Sequence, residues 1–447
     1  MSQNKIVIFH HFDKCGGTTL QEYLKNYYAE DKACFLHHIL DDNNPRYQTK
    51  QLTLQSKERI LASHFVHDPF GVTFTLDNEK VARVAFFREP LSRLISHWHM
   101  ICRWQDHEIV CQPITFSEIR EVARSGFKNF LLAIKNQHPV VKNLNNFYAN
   151  HLLYNNVSLR KIYYEFQQAP INCNEHIAAC HAALEKFDCI GLIEDYDFSL
   201  LMLNAFLSIP PPIQLQKLNV HESSKYISEI DKEALDLAED LLQIDKHIYQ
   251  HATELYATQK ERLLVNTGNK LNAQQIIQKN YERQLLNKAA VKNTTITMSE
   301  ALAGAGWHAR EKNGKKTSRW TGPGTTAYLD VMLNRKKPLS FTLKISTPLS
   351  IQIIENLSIS VDNIQTPVTK QKSEDEFFII GILPKNKNHT FTRFIINTGC
   401  VTNGTAKDDP RLLGIEVISL TIKPIVHQSN SIIKKCVIKI NSLIHSP

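Results

Sequence analysis

The chain has 447 residues, of which 43% are hydrophobic and 21% charged, and carries a formal net charge of +8. That length exceeds one ordinary hydrophobic core and fits two or three domains, while the composition excludes a disordered or membrane-embedded chain. The modest positive excess suits an anionic ligand or acidic surface, and no long basic run demands nucleic acid.

At the N-terminus the apolar run around Ile6–Phe9 is too short for a signal-peptide core or a membrane span, and no later run reaches that length. The nine cysteines are odd in number and scattered, with no C-x-x-C pair, so neither a disulfide framework nor a zinc knuckle is indicated. Cys102, His107 and Cys111 match no structural zinc spacing, and no metal site is expected. These features predict a cytoplasmic protein in a reducing compartment.

From residue 5 to about 262, short β-branched runs alternate with helical patterns. KIVIF (5–9), ERILASHF (58–65), VARVAFFR (81–88) and FDCIGLI (187–193) read as strands, and the alternation predicts an α/β domain over 1–262 with a parallel sheet and flanking helices. Residues 227–263 are charged, apolar-periodic and free of Gly and Pro, which predicts one or two long helices closing that domain. Residues 263–295, rich in Asn, Gln and Lys, read as a helical linker. After residue 296 come six alternating segments: 327–333, 339–346, 357–363, 376–383, 392–398 and 415–422. They predict an antiparallel β-sandwich domain over 296–425. The tail, 426–447, places Ile432, Ile433, Cys436, Val437, Ile440, Leu443 and Ile444 at helical spacing beside Lys434, Lys435 and Lys439. Docking on its own β-domain or forming an extra strand is favoured over peripheral contact with the inner membrane surface, because three lysines on so short a segment make a weak anchor.

Two motifs carry chemistry. Residues 1–262 hold only five glycines, and two of them, Gly16 and Gly17, sit together between a strand and a helix in IVIFHHFDKCGGTTLQEYL. Such a junction presents backbone N–H groups and a helix's positive end to an anion, with Lys14 adding charge and Thr18 and Thr19 adding hydroxyls. A glycine pair at a strand end also serves as an ordinary tight turn. The lysine precedes the glycines, whereas a Walker A loop places it after them, which argues against a nucleoside triphosphatase. The second motif, VARVAFFREPLSRLISHWHM (81–100), is a strand ending in Arg88, then Pro90 in the first helical turn, then Arg93 and Ser96. Arg88 and Ser96 suit the two sides of one phosphate, and in a parallel sheet both motifs fall on the carboxyl edge.

Together, KCGGTT and FFREPLSRLISHW resemble the two elements that bind 3′-phosphoadenosine 5′-phosphosulfate (PAPS) in the sulfotransferase family that includes heparan sulfate 2-O-sulfotransferase. Its members read approximately H-x-P-K-[TC]-G-G-[TS]-[TS] and F-[LF]-R-[DE]-P-x-x-R-x-x-S; the proline before the lysine is Asp13 here. The resemblance extends over roughly residues 5–260. It implies the sulfotransferase fold, with PAPS as donor, 3′-phosphoadenosine 5′-phosphate (PAP) as product and no metal in the reaction. It implies that Lys14, Cys15, Gly16, Gly17, Thr18 and Thr19 form the 5′-phosphosulfate loop, and that Arg88 and Ser96 hold the 3′-phosphate. It also implies that His64, in ILASHFVHDPFG (60–71), is the general base, an imidazole whose ordinary pKa of about 6.5 suits work at neutral pH, with His67 a lesser candidate. Lys14 would stabilise the leaving phosphate. His10, His11, His97 and His99 read better as packing or solvent-facing groups around the anion site.

The C-terminal region resembles β-sandwich modules attached to bacterial glycan-modifying proteins, chiefly in Asp409-x-Arg411-x-Leu413-Gly414. That implies a carbohydrate context without identifying a binding site; the acceptor expected is a saccharide or a saccharide-bearing molecule, with a small-molecule or lipid-linked acceptor left open. Trp307 and Trp320 read equally well as sugar-stacking platforms and as residues closing the end of the sandwich. Arg103, Trp104, Lys128, Lys135 and Tyr148 lie in the stretch expected to supply the acceptor wall. A different nucleotide-dependent phosphotransferase and a non-catalytic glycan-binding protein are the alternatives. The first would need Ser or Thr directly after a P-loop lysine, where this chain has Cys15.

Overall fold

The structure, a computed structural model, describes residues 6–29, 33–36, 60–63, 81–106, 114–154, 174–211, 213, 230–314, 316–346, 348–386, 391–404, 409 and 411–425. Contacts divide the chain into two units. One comprises Met1–Thr18, Cys34–Phe206 and Asn219–Lys270, and the other Thr19–Ala33, Leu207–Leu218 and Leu271–Pro447.

The first unit is built on a five-stranded sheet of β1 (Ile6–His10), β2 (Ala33–Leu36), β3 (Ile60–Ser63), β4 (Val81–Phe87) and β5 (Cys189–Leu192), in the order β2-β3-β1-β4-β5. The pairings of β1 with β3, β1 with β4 and β4 with β5 are all parallel. Val7, Ile8 and Phe9 of β1 and Val84 to Phe87 of β4 are all buried, as expected when helices cover both faces of a parallel sheet. That double burial explains why these strands read as continuous apolar runs rather than alternating ones.

Helix α1 (Gly17–Leu24) follows β1, and α2 (Pro90–Cys102) follows β4. The Glu89 carboxylate caps α2 by accepting from the Leu91 and Ser92 amides at 2.9 and 2.7 Å, with Pro90 in the first turn. Helices α3 (Ile114–Arg124), α4 (Phe127–Lys135), α5 (Phe147–Tyr154) and α6 (Asn174–Leu184) come next, and α7 (Tyr196–Leu207) follows β5. The periodic stretch 227–263 resolves into two helices, α8 (Lys232–Leu241) and α9 (Gln243–Thr267), which meet at Leu242. Gly268, at φ +80°, ends α9 in a backbone region that glycine enters without strain. Where the sequence predicts a helical linker, α10 (Lys270–Leu286) buries Ala273, Ile277, Tyr281 and Leu285 along one stripe. Tyr281 and Leu285 pack with Met332 inside the second unit.

The second unit contains β6 (Thr294–Thr297), β7 (Gly304–Ala305), β8 (Glu311–Asn313), β9 (Lys316–Trp320), β10 (Thr326–Val331) and β11 (Leu339–Ser346). After the short helix α11 (Ile351–Asn356) come β12 (Ser358–Val361), β13 (Ile364–Thr366), β14 (Val368–Ser373), β15 (Glu376–Leu383), β16 (Thr392–Asn397), β17 (Thr402–Asn403), β18 (Leu412–Leu413) and β19 (Glu416–Pro424). One sheet runs β13-β12-β16-β10-β7; the other runs β14-β15-β11-β19-β9-β8, with β6 also on β19. The strand pairings recorded in these two sheets are antiparallel. Inward residues alternate along β11 and β12, and one core joins Leu329, Ile359 and Phe394 of the first sheet to Phe341, Leu343 and Ile379 of the other. Phe341 and Phe394 meet edge to face at 5.4 Å. The predicted α/β region and C-terminal antiparallel region are both present. Among the described residues no helix is long and apolar enough to cross a membrane, and the basic tail 426–447 lies outside the described residues.

The guanidinium of Arg319 is the polar centre of the second unit. Fully buried, it donates to Met298 O at 2.9 Å, Glu300 O at 2.7 Å and Asn26 Oδ1 at 2.5 Å. Asn26 in turn donates to Trp307 O at 2.8 Å and accepts from the Leu302 amide at 2.8 Å. Replacing Arg319 with Met leaves these buried acceptors without donors. The expected loss is about 3 kcal/mol, read as a lower midpoint in chemical denaturation; an unchanged midpoint would show that the acceptors are solvated.

Candidate active site

The carboxyl edge of the parallel sheet brings the two sequence motifs together. In the β1–β4 ladder His10 lies opposite Ala85, and in the β1–β3 ladder it lies opposite Ser63. The loop leaving β1, the Phe87–Arg88 end of β4 and the end of β3 therefore share one edge. The chain leaves β1 toward β3 on one side and returns to β4 on the other. This reversal makes the crevice beside β1 the place where open α/β sheets bind ligands.

The loop has a particular backbone. Lys14 at φ +66° and Gly16 at φ +71° both occupy the left-handed region, and the Cys15 amide closes a turn on Phe12 O at 3.2 Å. The glycines answer to packing as well as to conformation. A Cβ on Gly16 would meet Ile193 Cδ1 at 2.7 Å, and one on Gly17 would fall 1.7 Å from the buried His11 ring. Gly17 opens α1, so the positive end of that helix lies at the loop. Thr18 is exposed and Thr19 buried.

Lys14 is half-buried, and its pKa lies below the ordinary lysine value. Burial is the main cause; Asp13 opposes it, and Arg103 and Arg88 reinforce it. Asp13, at the position of the family's proline, thus supplies countercharge to the lysine. Arg88 follows β4 directly, half-buried, with Nη1 3.4 Å from Lys14 O. Ser96 is half-buried on α2. The geometry therefore unites the Lys14–Thr18 loop with Arg88 at one edge. His64 and His67 lie outside the described residues; the strand before them ends at Ser63 beside His10.

Beneath the loop is a buried polar layer that the motifs do not announce. Tyr148 of α5 is fully buried, and its hydroxyl donates to Arg88 O at 2.6 Å, accepts from the Arg88 amide at 2.9 Å and lies 3.3 Å from Cys15 Sγ. One strand over, the Ser199 hydroxyl makes the same pair of bonds to Leu192 N and O, at 2.8 and 2.9 Å. Two neighbouring strand ends are thus held by side-chain hydroxyls. Arg93 is also fully buried, 3.9 Å over the Phe147 ring, with no hydrogen-bond partner for its guanidinium among the described residues. Asp245 of α9 accepts from the Tyr148 and Ala149 amides at 2.8 and 3.3 Å. Burial raises its carboxyl to about 7 against the pull of the Arg93 cation. Burial likewise pushes the Cys15 thiol up to about 12, so it is a neutral packing group rather than a nucleophile.

The acceptor-wall candidates fare differently. Tyr148 cannot line a pocket because it is sealed beneath the loop. Lys128 is ion-paired with Glu233, Lys135 is exposed on α4, and Trp104 packs on Phe116 at 5.4 Å. The Arg103 guanidinium donates to His99 O at 3.1 Å. In the β-rich unit Trp307 and Trp320 are 7% and 8% exposed, and Trp307 Nε1 donates to Tyr328 O at 3.0 Å. Neither ring offers a free face, so of the two readings the structural one stands. Asp409 and Arg411 form a two-bond fork, both at 2.8 Å, and Arg411 also pairs with Glu311. Among the described residues no cluster of His, Cys, Asp and Glu is arranged to hold a metal ion; His107 and Cys111 lie outside them.

A parallel sheet with a glycine loop and two cations, Lys14 and Arg88, at its reversal point defines an α/β protein with a basic sheet edge. The Sulfotransferase family profile matches residues 1–263, more than half of the 447, and the chain belongs to that family. No curated protein matches it. Among solved structures, a GH115 4-O-methyl-alpha-glucuronidase, BtGH115A, described as specific for decorated arabinogalactans, shows 10% identity and a TM-score of 0.19. That match covers 75% of this chain and 42% of the other, and a likeness so slight carries no argument.

Two imidazoles, His10 buried and His97 half-buried, give the fold a pH signature. His10 and His97 are each lowered to about 3, chiefly by burial. With folded values below the unfolded 6.5, the unfolded chain takes up protons first as pH falls, so stability drops between 6.5 and about 3. Each group contributes at most about 1.4 kcal/mol per pH unit. Asp245, raised from 3.8 to about 7, contributes the opposite slope within its own window. His10→Phe, which keeps a ring beside Phe187, is expected to flatten the acid limb in urea titrations across pH. An unaltered slope would mean that His10 is charged in the native state.

Proposed function

We propose that this sulfotransferase-family chain moves a sulfuryl group from PAPS to a hydroxyl of a saccharide-bearing acceptor. The reading rests above all on the convergence of the Lys14 loop and Arg88 at one sheet edge, Nη1 to carbonyl at 3.4 Å, in a chain of this family. Amides and hydroxyls of Cys15, Gly16, Gly17, Thr18 and Thr19, with Lys14, hold the 5′-phosphosulfate. Arg88 and Ser96 hold the 3′-phosphate, the arginine by a two-pronged fork.

The acceptor hydroxyl attacks sulfur in line with the bond to the 5′-phosphate oxygen. The new O–S bond forms as the old one breaks, the hydroxyl proton passes to His64, and PAP leaves with the electron pair on its phosphate. Lys14 stabilises that developing charge from a partly buried position, where a cation acts more strongly than in water. No step calls for a metal. The saccharide acceptor follows from the resemblances in both halves of the sequence, and a cytoplasmic location from its lack of a long apolar run.

Lys14→Ala and Arg88→Ala are each expected to weaken PAP binding by about 10- to 100-fold in calorimetry, equally with and without magnesium. Binding of ATP with magnesium but not of PAP would replace this reading with the phosphotransferase one. Because the Lys14 pKa is lowered from 10.5, PAP affinity should begin to fall at a pH below that ordinary value. Lys14→Arg should move this alkaline limb upward; a limb that stays put assigns it to another group.

A further inference from the structure

We propose that Tyr148 is a positioning residue for the donor. Its hydroxyl ties the anion loop to the end of β4 and thereby sets the distance between the groups that hold the two ends of the nucleotide. This inference rests on the donor-site reading above, and it concerns a residue that never touches the ligand.

The hydroxyl's valences are fully used. A phenol has one proton to give, and Tyr148 gives it to Arg88 O at 2.6 Å. Its lone pairs then face the Arg88 amide at 2.9 Å and Cys15 Sγ at 3.3 Å, the neutral thiol dividing its one weak proton between the phenol and Asp13 O at 3.7 Å. All three atoms belong to main-chain or buried groups, so the contact fixes backbone rather than a mobile side chain. Residue 15 sits between Lys14 and Gly16, and residue 88 carries the guanidinium assigned to the 3′-phosphate. A single oxygen thus spans both halves of the donor site.

Tyr148 is itself held from three sides. Its amide donates to Asp245 Oδ1 at 2.8 Å, its ring packs against Phe12 and Phe87 at 5.6 and 5.2 Å, and the Arg93 guanidinium lies 5.8 Å from its centroid. Phe12 belongs to the loop and Phe87 is the last residue of β4, so the ring bridges the same two segments as the hydroxyl. A side chain so confined transmits position, because neither end can relax without opening a packed core.

Tyr148→Phe keeps the ring and removes the oxygen. In calorimetry the PAP dissociation constant should rise about 10-fold, the scale of losing one or two buried hydrogen bonds. The KM for PAPS should rise with it while the KM for the acceptor stays level. A purely structural tyrosine would lower the melting temperature and leave both donor constants as they are. If Tyr148→Phe does not fold, Cys15→Ala decides the matter, because it keeps the backbone amide and removes the thiol's contact with the phenol. It should bind PAP a few-fold more weakly than the wild type; wild-type affinity overturns the proposal. Wild-type affinity in a folded Tyr148→Phe protein also overturns it and leaves the donor site standing. Failure of the wild-type protein to bind PAP overturns the donor-site reading and this inference together.

Discussion

The parallel pairing of β1 with β4, in the register that sets His10 beside Ala85, is the constraint on which the rest of the first unit depends. A slip of one residue would turn every side chain of the strand to the opposite face. Phe9 and Phe87 would then lose their places in the core, and the Lys14 loop would no longer end level with Arg88. Register is secured by burial on both faces and, past the ladder, by the hydroxyl of Tyr148 on the backbone of Arg88. The basic edge is thus a product of sheet packing before it is a set of charged side chains.

Charge in this unit is arranged at two depths. Lys14 and Arg88 stand half-exposed at the edge, while Arg93 and Asp245 lie fully buried below, joined through the aromatic helix that carries Phe147 and Tyr148. Burying a cation and a carboxylate is costly, and the cost is offset here by an aromatic face for one and two backbone amides for the other.

Much of this was legible in the sequence. Runs buried on both faces announce themselves by composition, and the strands at Ile6–His10, Val81–Phe87 and Cys189–Leu192 fall within a residue or two of expectation. The alternating strands Leu339–Ser346 and Glu376–Leu383 match it at both ends. The polar strand Val368–Ser373 was hidden because it lies at a sheet edge, where Lys370, Gln371 and Lys372 need bury little. The segment expected as one strand over 357–363 ends at Val361, because Asp362 and Asn363 both take positive φ and form the two-residue turn of a hairpin with Ile364–Thr366. Tyr148 was not legible at all. It lies 133 residues from Cys15, and nothing local distinguishes a tyrosine that locks a loop from one that lines a pocket. The two tryptophans stayed open between readings for the related reason that indole is equally at home on a sugar and in a core.

The central claim is that this edge transfers a sulfuryl group without a metal. Its most direct test is transfer of radiolabelled sulfur from PAPS to a panel of saccharides, in the presence of a strong chelator, with PAP release followed in parallel. The account predicts label on a sugar and one PAP released for each label transferred. Release of PAP with the label found only as free sulfate, or no turnover until magnesium and a nucleoside triphosphate are supplied, would contradict it.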